Sequence, residues 1–153
     1  MDPRDDILRL ENQLCFAIVT AARNVVSIYR PVLEPLGLTH PQYLVMLALW
    51  QHAPLSVKRL SSLLQLDPGT LSPLLKRLES AELVVRRRDA ADERQLAVEL
   101  TDRGRALREQ ALQVPPAVIE RLGMPVGELQ SLHASLTRVI QATQIATHQE
   151  AGQ

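Results

Sequence analysis

Cysteine is all but missing from this chain: Cys15 is the one thiol in 153 residues. That excludes an intramolecular disulfide framework and a cysteine-rich zinc site. Aromatic residues are scarce, yet an apolar share of 46% is that of a globular chain, long enough for one domain with a real core. No run approaches the roughly 18 apolar residues of a membrane span. The opening "MDPRDDILRL" is acidic and lacks an apolar stretch of signal-peptide type. A lone thiol that must stay reduced fits the cytoplasm, so a soluble cytoplasmic protein is expected. His40, His52, His133 and His148 share no metal-ligand spacing, and neither a metal site nor a cofactor is expected.

Net charge is also lacking, since 17 basic and 17 acidic side chains cancel. Their distribution is uneven. Between Ser56 and Arg88 stand Lys58, Arg59, Lys76, Arg77, Arg86, Arg87 and Arg88 against Asp67, Glu79 and Glu82, a net +4. Such an asymmetry is expected when one surface meets phosphates.

Residues 5–29 read as one long helix. Leu14, Ile18, Ala21, Val25 and Ile28 form one stripe; Leu8, Cys15, Val19, Ala22, Val26 and Tyr29 form a second beside it. A helix apolar over so much of its circumference must be covered on more than one side, in so short a chain partly by another subunit. Gly37 and Pro41 then break the chain. "PQYLVMLALWQ" follows as a buried helix with Pro41 at its first position and Trp50 in the core. Ser56 caps a short helix with Val57, Leu60 and Leu63/Leu64 inward.

In "QLDPGTLSPLLKRLESAELV" Asp67 is the N-cap and Pro68 the first helical residue. Leu71, Leu74, Leu75 and Leu78 keep the i, i+3, i+4, i+7 spacing. Pro73 lies beyond the first turn, so a local irregularity near Gly69 is expected. Two strands, "ELVVRR" and "QLAVEL", are joined by "RDAADE". The second should turn Leu96, Val98 and Leu100 inward with Ala97 and Glu99 outward. Thr101 caps the next helix, Pro115 and Pro116 interrupt it, and a last helix runs over roughly 126–147.

Short helix, turn, second helix and charged hairpin, in that order, describe a winged helix-turn-helix whose second helix enters the major groove. With the leucines committed to the core, Gly69, Thr70, Ser72, Pro73, Lys76 and Arg77 face outward. Thr and Ser can reach bases, while Lys and Arg suit phosphates. An ordinary amphipathic helix with a solvated face would look the same. The hairpin weighs against it: Arg86, Arg87 and Arg88 stand at its base, and Asp92 can hold Arg94 for a narrow minor groove.

The stretches "LENQLCFAIVTAARN", "YRPVLEPLGLTHPQYLVMLALWQ" and "LDPGTLSPLLKRLESAELVVRRRDAADERQLAVELTDRGRALR" resemble the organic-hydroperoxide-sensing (OhrR-type) repressors of the MarR family, over about residues 8–110. The resemblance implies a fold that is mainly α with a small β-hairpin wing. Residues 1–40 would supply amino-terminal dimerisation and sensor helices, 41–101 the winged helix-turn-helix, and 102–153 carboxy-terminal dimerisation helices, in one compact unit. It further implies a homodimeric repressor on a palindromic double-stranded DNA operator. In that subgroup the amino-terminal cysteine senses peroxide and oxidation releases DNA.

By itself, a lone cysteine on an apolar helix reads as an inert core residue. The resemblance makes Cys15 the redox-sensing thiol. A thiolate among leucines and valines needs hydrogen-bond donors, which the related repressors supply as two tyrosine hydroxyls. Tyr29 matches one of those positions, and His40 stands where the family usually has the other. Histidine can still donate, and if protonated would favour the thiolate more than a phenol does; it can equally be a capping residue before Pro41. Cys15 and Tyr29 lie fourteen residues apart, about 21 Å along a straight helix, so Tyr29 can serve Cys15 only from a partner subunit. With no second cysteine, a mixed disulfide with a small cellular thiol, or overoxidation, must complete the switch. Two rivals remain. A cysteine peroxidase would need a resolving thiol and an acid–base constellation, and neither is evident, so no enzyme is expected. A regulator answering a small ligand would not depend on Cys15.

Overall fold

Polar side chains end the first helix early. The computed structural model describes residues 3–88 and 96–151, and residues 5–29 do not form the single helix expected. Helix α1 spans Pro3–Ile7, a 3-10 turn covers Leu10–Asn12, and α2 runs from Leu14 to Leu33. The Gln13 amide donates to the carbonyls of Ile7 (2.8 Å) and Arg9 (2.9 Å), and the Asn12 amide to that of Asp6 (2.9 Å). These side chains capture carbonyls that a continuous helix would have used.

The chain divides into two compact units, Met1–Pro115 and Pro116–Gln153. In the first, α2 packs on α3 (His40–His52). Thr39 caps α3 in a reciprocal box: its hydroxyl accepts from the Gln42 N–H, and its own N–H donates to Gln42 Oε1 at 2.9 Å. His40 is therefore not the cap, and Pro41 occupies the second helical position.

Strand β1 (Leu55–Ser56), α4 (Val57–Leu64), α5 (Pro68–Ser80), β2 (Val84–Arg88) and β3 (Leu96–Leu100) follow. The Ser56 hydroxyl caps α4 by accepting from the Arg59 N–H at 3.0 Å, and Gln65 takes the left-handed conformation (φ 52°) that ends it. Val45, Met46 and Leu49 of α3, Leu60 of α4, Leu71, Leu75 and Leu78 of α5 and Val98 of β3 are all but fully buried. This aliphatic core holds α5 by its leucine face and leaves the opposite face to solvent.

The sheet is antiparallel in the order β1–β3–β2, with Val84 opposite Leu100, Arg88 opposite Leu96 and Leu55 opposite Val98. Alternation along β3 is not the one expected: Leu96 is 47% exposed and Ala97 is buried. Leu96 already lies past the core, whereas Ala97 is flanked by Ser56 on one side and Arg87 on the other.

Helix α6 (Asp102–Ala111) is tied to the sheet at its start. The Thr101 hydroxyl donates to the Glu82 carbonyl (2.6 Å) and accepts from the Gly104 N–H (3.0 Å). A Cβ on Gly104 would collide with the Leu83 carbonyl oxygen, so only glycine permits this approach. Trp50 is half-buried rather than core, its indole N–H donating to the Gly104 carbonyl at 2.9 Å. Pro115 and Pro116 lie in the first turn of α7 (Val114–Leu122), where a missing N–H costs little. Gly123 (φ 64°) ends α7, and α8 covers Val126–Ala151. No helix among the described residues is long and apolar enough to cross a membrane.

Candidate nucleic-acid interface and redox site

Helix α5 begins with a tight cap. Asp67 Oδ1 accepts from the Thr70 N–H at 2.8 Å, and Oδ2 from the Thr70 hydroxyl at 3.0 Å. These bonds, the backbone one first, hold the Asp67 carboxyl below its usual range. Of the outward residues expected, Gly69, Thr70, Pro73, Lys76 and Arg77 are exposed, and Ser72 is half-buried. The Thr70 hydroxyl is engaged by the cap. No irregularity sets in at Gly69: α5 runs unbroken through Pro73.

The three arginines at the hairpin base have different fates. Along one face of β2, burial fades from Val84 to half-buried Arg86 to exposed Arg88. Arg86 is engaged within the fold, its Nε donating to Glu79 Oε1 on α5. Arg87 lies on the other face, 3.7 Å from Glu99. Arg88, Lys76 and Arg77 have no ion-pair partner among the described residues, nor have Lys58 and Arg59 on α4. Asp92 and Arg94 fall outside the described residues.

Cys15 is exposed in the first turn of helix α2. Its stripe is uncovered in the single chain, with Val19 50% and Val26 38% exposed. Tyr29 stands near the other end of the same unbroken helix. There it meets His40, ring centroids 4.7 Å apart and edge-on, and Tyr43, centroids at 5.9 Å. None of the three rings has a hydrogen-bond partner among the described residues.

Burial raises the Tyr29 phenol; burial and then the neighbouring Tyr29 raise Tyr43. Burial lowers His40, so the neutral imidazole is favoured over the cation that the sequence left open. The fold brings Tyr29 and His40 together and keeps Cys15 of the same chain apart from them. Tyr43, a third member of the cluster, was not anticipated; its position three residues after His40 on one helix face was the available signal. Among the described residues no cluster of ligating side chains could hold a metal ion.

The profile of the SarA/Rot transcriptional regulators matches residues 27–110. The chain is 38% identical over 141 residues to the organic hydroperoxide resistance transcriptional regulator of Bacillus subtilis, covering 92% of this chain and 96% of that one. Among solved structures, reduced AbfR bound to DNA matches with a TM-score of 0.72 at 34% identity, over 90% of this chain and 96% of that one. AbfR, from Staphylococcus epidermidis, is also known overoxidised on DNA and in a disulfide form. CouR of Rhodococcus jostii RHA1, on a 23-mer DNA duplex, gives a TM-score of 0.79 at 25% identity over 87% of this chain and 96% of its own. The present chain is thus a transcription regulator built on a DNA-binding winged helix. It belongs to the SarA/Rot group of MarR-type regulators and is a homologue of the organic hydroperoxide resistance regulators.

Proposed function

We propose that this chain is a homodimeric repressor that binds a palindromic operator and is released when an organic hydroperoxide oxidises Cys15. One observation carries the reading: an exposed thiol stands at one end of a helix whose apolar stripe is uncovered, and at its other end Tyr29 clusters with His40 and Tyr43, the three without a hydrogen-bond partner among the described residues. Antiparallel pairing of that stripe with a second copy would bring each thiol to the other chain's cluster. Exposed Leu132, Leu136, Val139, Ile140 and Ile145 on α8 offer a second dimer surface. Lys76, Arg77 and Arg88 supply phosphate contacts, Gly69, Thr70, Ser72 and Pro73 the close approach to bases, and Arg94, held by Asp92, a minor-groove contact. The redox forms of AbfR support the oxidation step by likeness.

Donors at Tyr29 and His40 would stabilise the Cys15 thiolate. The thiolate sulfur attacks the peroxide's outer oxygen, the O–O bond breaks, and the departing alkoxide takes a proton to become an alcohol. The sulfenic acid left behind condenses with a small thiol, giving a mixed disulfide and water. The mixed disulfide is bulky in a packed interface, and repacking there would respace the two α5 helices.

Cys15→Ser tests the proposal. The variant should dimerise and bind DNA like the parent, yet stay bound when organic hydroperoxide and a small thiol are added. The parent should dissociate and gain the thiol's mass. A second reading, a regulator released by a small ligand, draws on a groove of about 570 Å³ lined by Val26, Arg30, Glu34, Leu38 and His40, and on the CouR structure with p-coumaroyl-CoA. Release of Cys15→Ser at the parent's peroxide dose would sink the redox reading in favour of this one.

A further inference from the structure

The half-buried ion pair between Glu79 and Arg86 joins the carboxy-terminal turn of α5 to the middle residue of β2. The two side chains are 37% and 20% exposed, so a substantial part of their hydration is lost and removing one leaves the other uncompensated. Arg86 lies opposite fully buried Val98, which anchors its backbone in the central part of the sheet. Glu79 follows Leu78, the last core leucine of α5. The pair thus bridges two elements just where each leaves the core, and beyond it β2 carries only exposed Arg87 and Arg88 before the wing tip.

We infer that Glu79 and Arg86 are positioning residues that set the wing's angle to α5, so that helix and wing meet the same DNA duplex together. Arg86 then acts on DNA through Glu79 and not by touching a phosphate, and Glu79, an acid on a DNA-facing helix, is required rather than merely tolerated. The inference rests on the DNA-binding reading of the winged helix.

Parent, Glu79→Gln, Arg86→Gln and the exchange Glu79→Arg/Arg86→Glu are compared on the duplex that the parent selects from a random-sequence pool, over a salt series. Each single change should lower affinity about tenfold, by similar factors. The salt slope should match the parent's, because no phosphate contact is lost. The exchange should restore most of the affinity. If Arg86→Gln weakens binding with a shallower slope while Glu79→Gln binds as well as the parent or better, Arg86 is a phosphate contact and the inference is wrong. Amide hydrogen exchange without DNA gives an independent reading. The Val84–Arg88 amides should exchange faster in both single variants than in the parent, and slow again in the exchange variant. Unchanged amides in all variants would overturn the coupling. A parent that selects no duplex would count against the DNA reading and leave hydrogen exchange to decide the pair.

Discussion

His40 shows how one side chain can be read in two environments. Burial beside Tyr29 lowers its folded-state value from 6.5, so on acidification the unfolded chain binds the proton first. Well above pH 6.5 both states are neutral at this site and it contributes nothing. As pH falls through 6.5 toward the lowered folded value, His40 destabilises the fold. His40→Asn should therefore lose less stability than the parent over that interval, measured as urea midpoints; parallel curves would show that this imidazole is not desolvated. Gly104 poses the opposite case, where the missing side chain matters. Its Cβ would collide with backbone at Leu83, so Gly104→Ala should cost about 1–3 kcal/mol. An unchanged urea midpoint would show that α6 can shift at no cost.

Helices and strands answer to local chemistry first and to tertiary surroundings second. Pro73 has no N–H to offer the Gly69 carbonyl, yet α5 continues through it because four leucines pin the helix to the core. Pro73→Ala should then stabilise the chain, by up to about 3 kcal/mol; a fall in stability would mean that the pyrrolidine ring packs better than a methyl group. On DNA, Lys76→Ala should weaken every duplex alike and reduce the salt slope by about 1, whereas Arg94→Ala should cost about 1–3 kcal/mol on the preferred duplex. Titrations across salt and sequence separate the two. The caps at Ser56, Asp67 and Thr101 and the hairpin's charged base were legible because each is written in a few adjacent residues. The break after α1 was not. Hydrophobic periodicity continues across it, and only the reach of Asn12 and Gln13 back to carbonyls closes the first helix. Strand β1 escaped notice because two residues carry no period and gain their conformation from β3. The pairing of Arg86 with Glu79 was hidden for a related reason: seven positions and a turn separate them. Counting arginines at the hairpin base could not tell a free cation from a committed one.

At the scale of the whole molecule, the site proposed for Cys15 cannot be completed within one chain. Cys15 and Tyr29 share α2, which is helical from Leu14 to Leu33, and fourteen residues of helix separate them by about 21 Å. His40 and Tyr43 cluster with Tyr29, so all three candidate donors lie away from the thiol of their own chain. A second copy brought against the uncovered stripe would reverse that separation. The expectation is tested with mixed dimers. One pairs a Cys15→Ser chain with a Tyr29→Phe chain; the other pairs an unaltered chain with a chain carrying both changes. In the first, the only thiol faces the intact Tyr29 of the serine chain and should oxidise at nearly the parent rate. In the second, the only thiol faces phenylalanine across the interface and should oxidise slowly, although its own chain keeps Tyr29. Composition is identical in the two mixtures, so stability and dimer affinity cannot account for a difference. Equal rates, or the reverse order, would place support for the thiol within its own chain or nowhere near Tyr29.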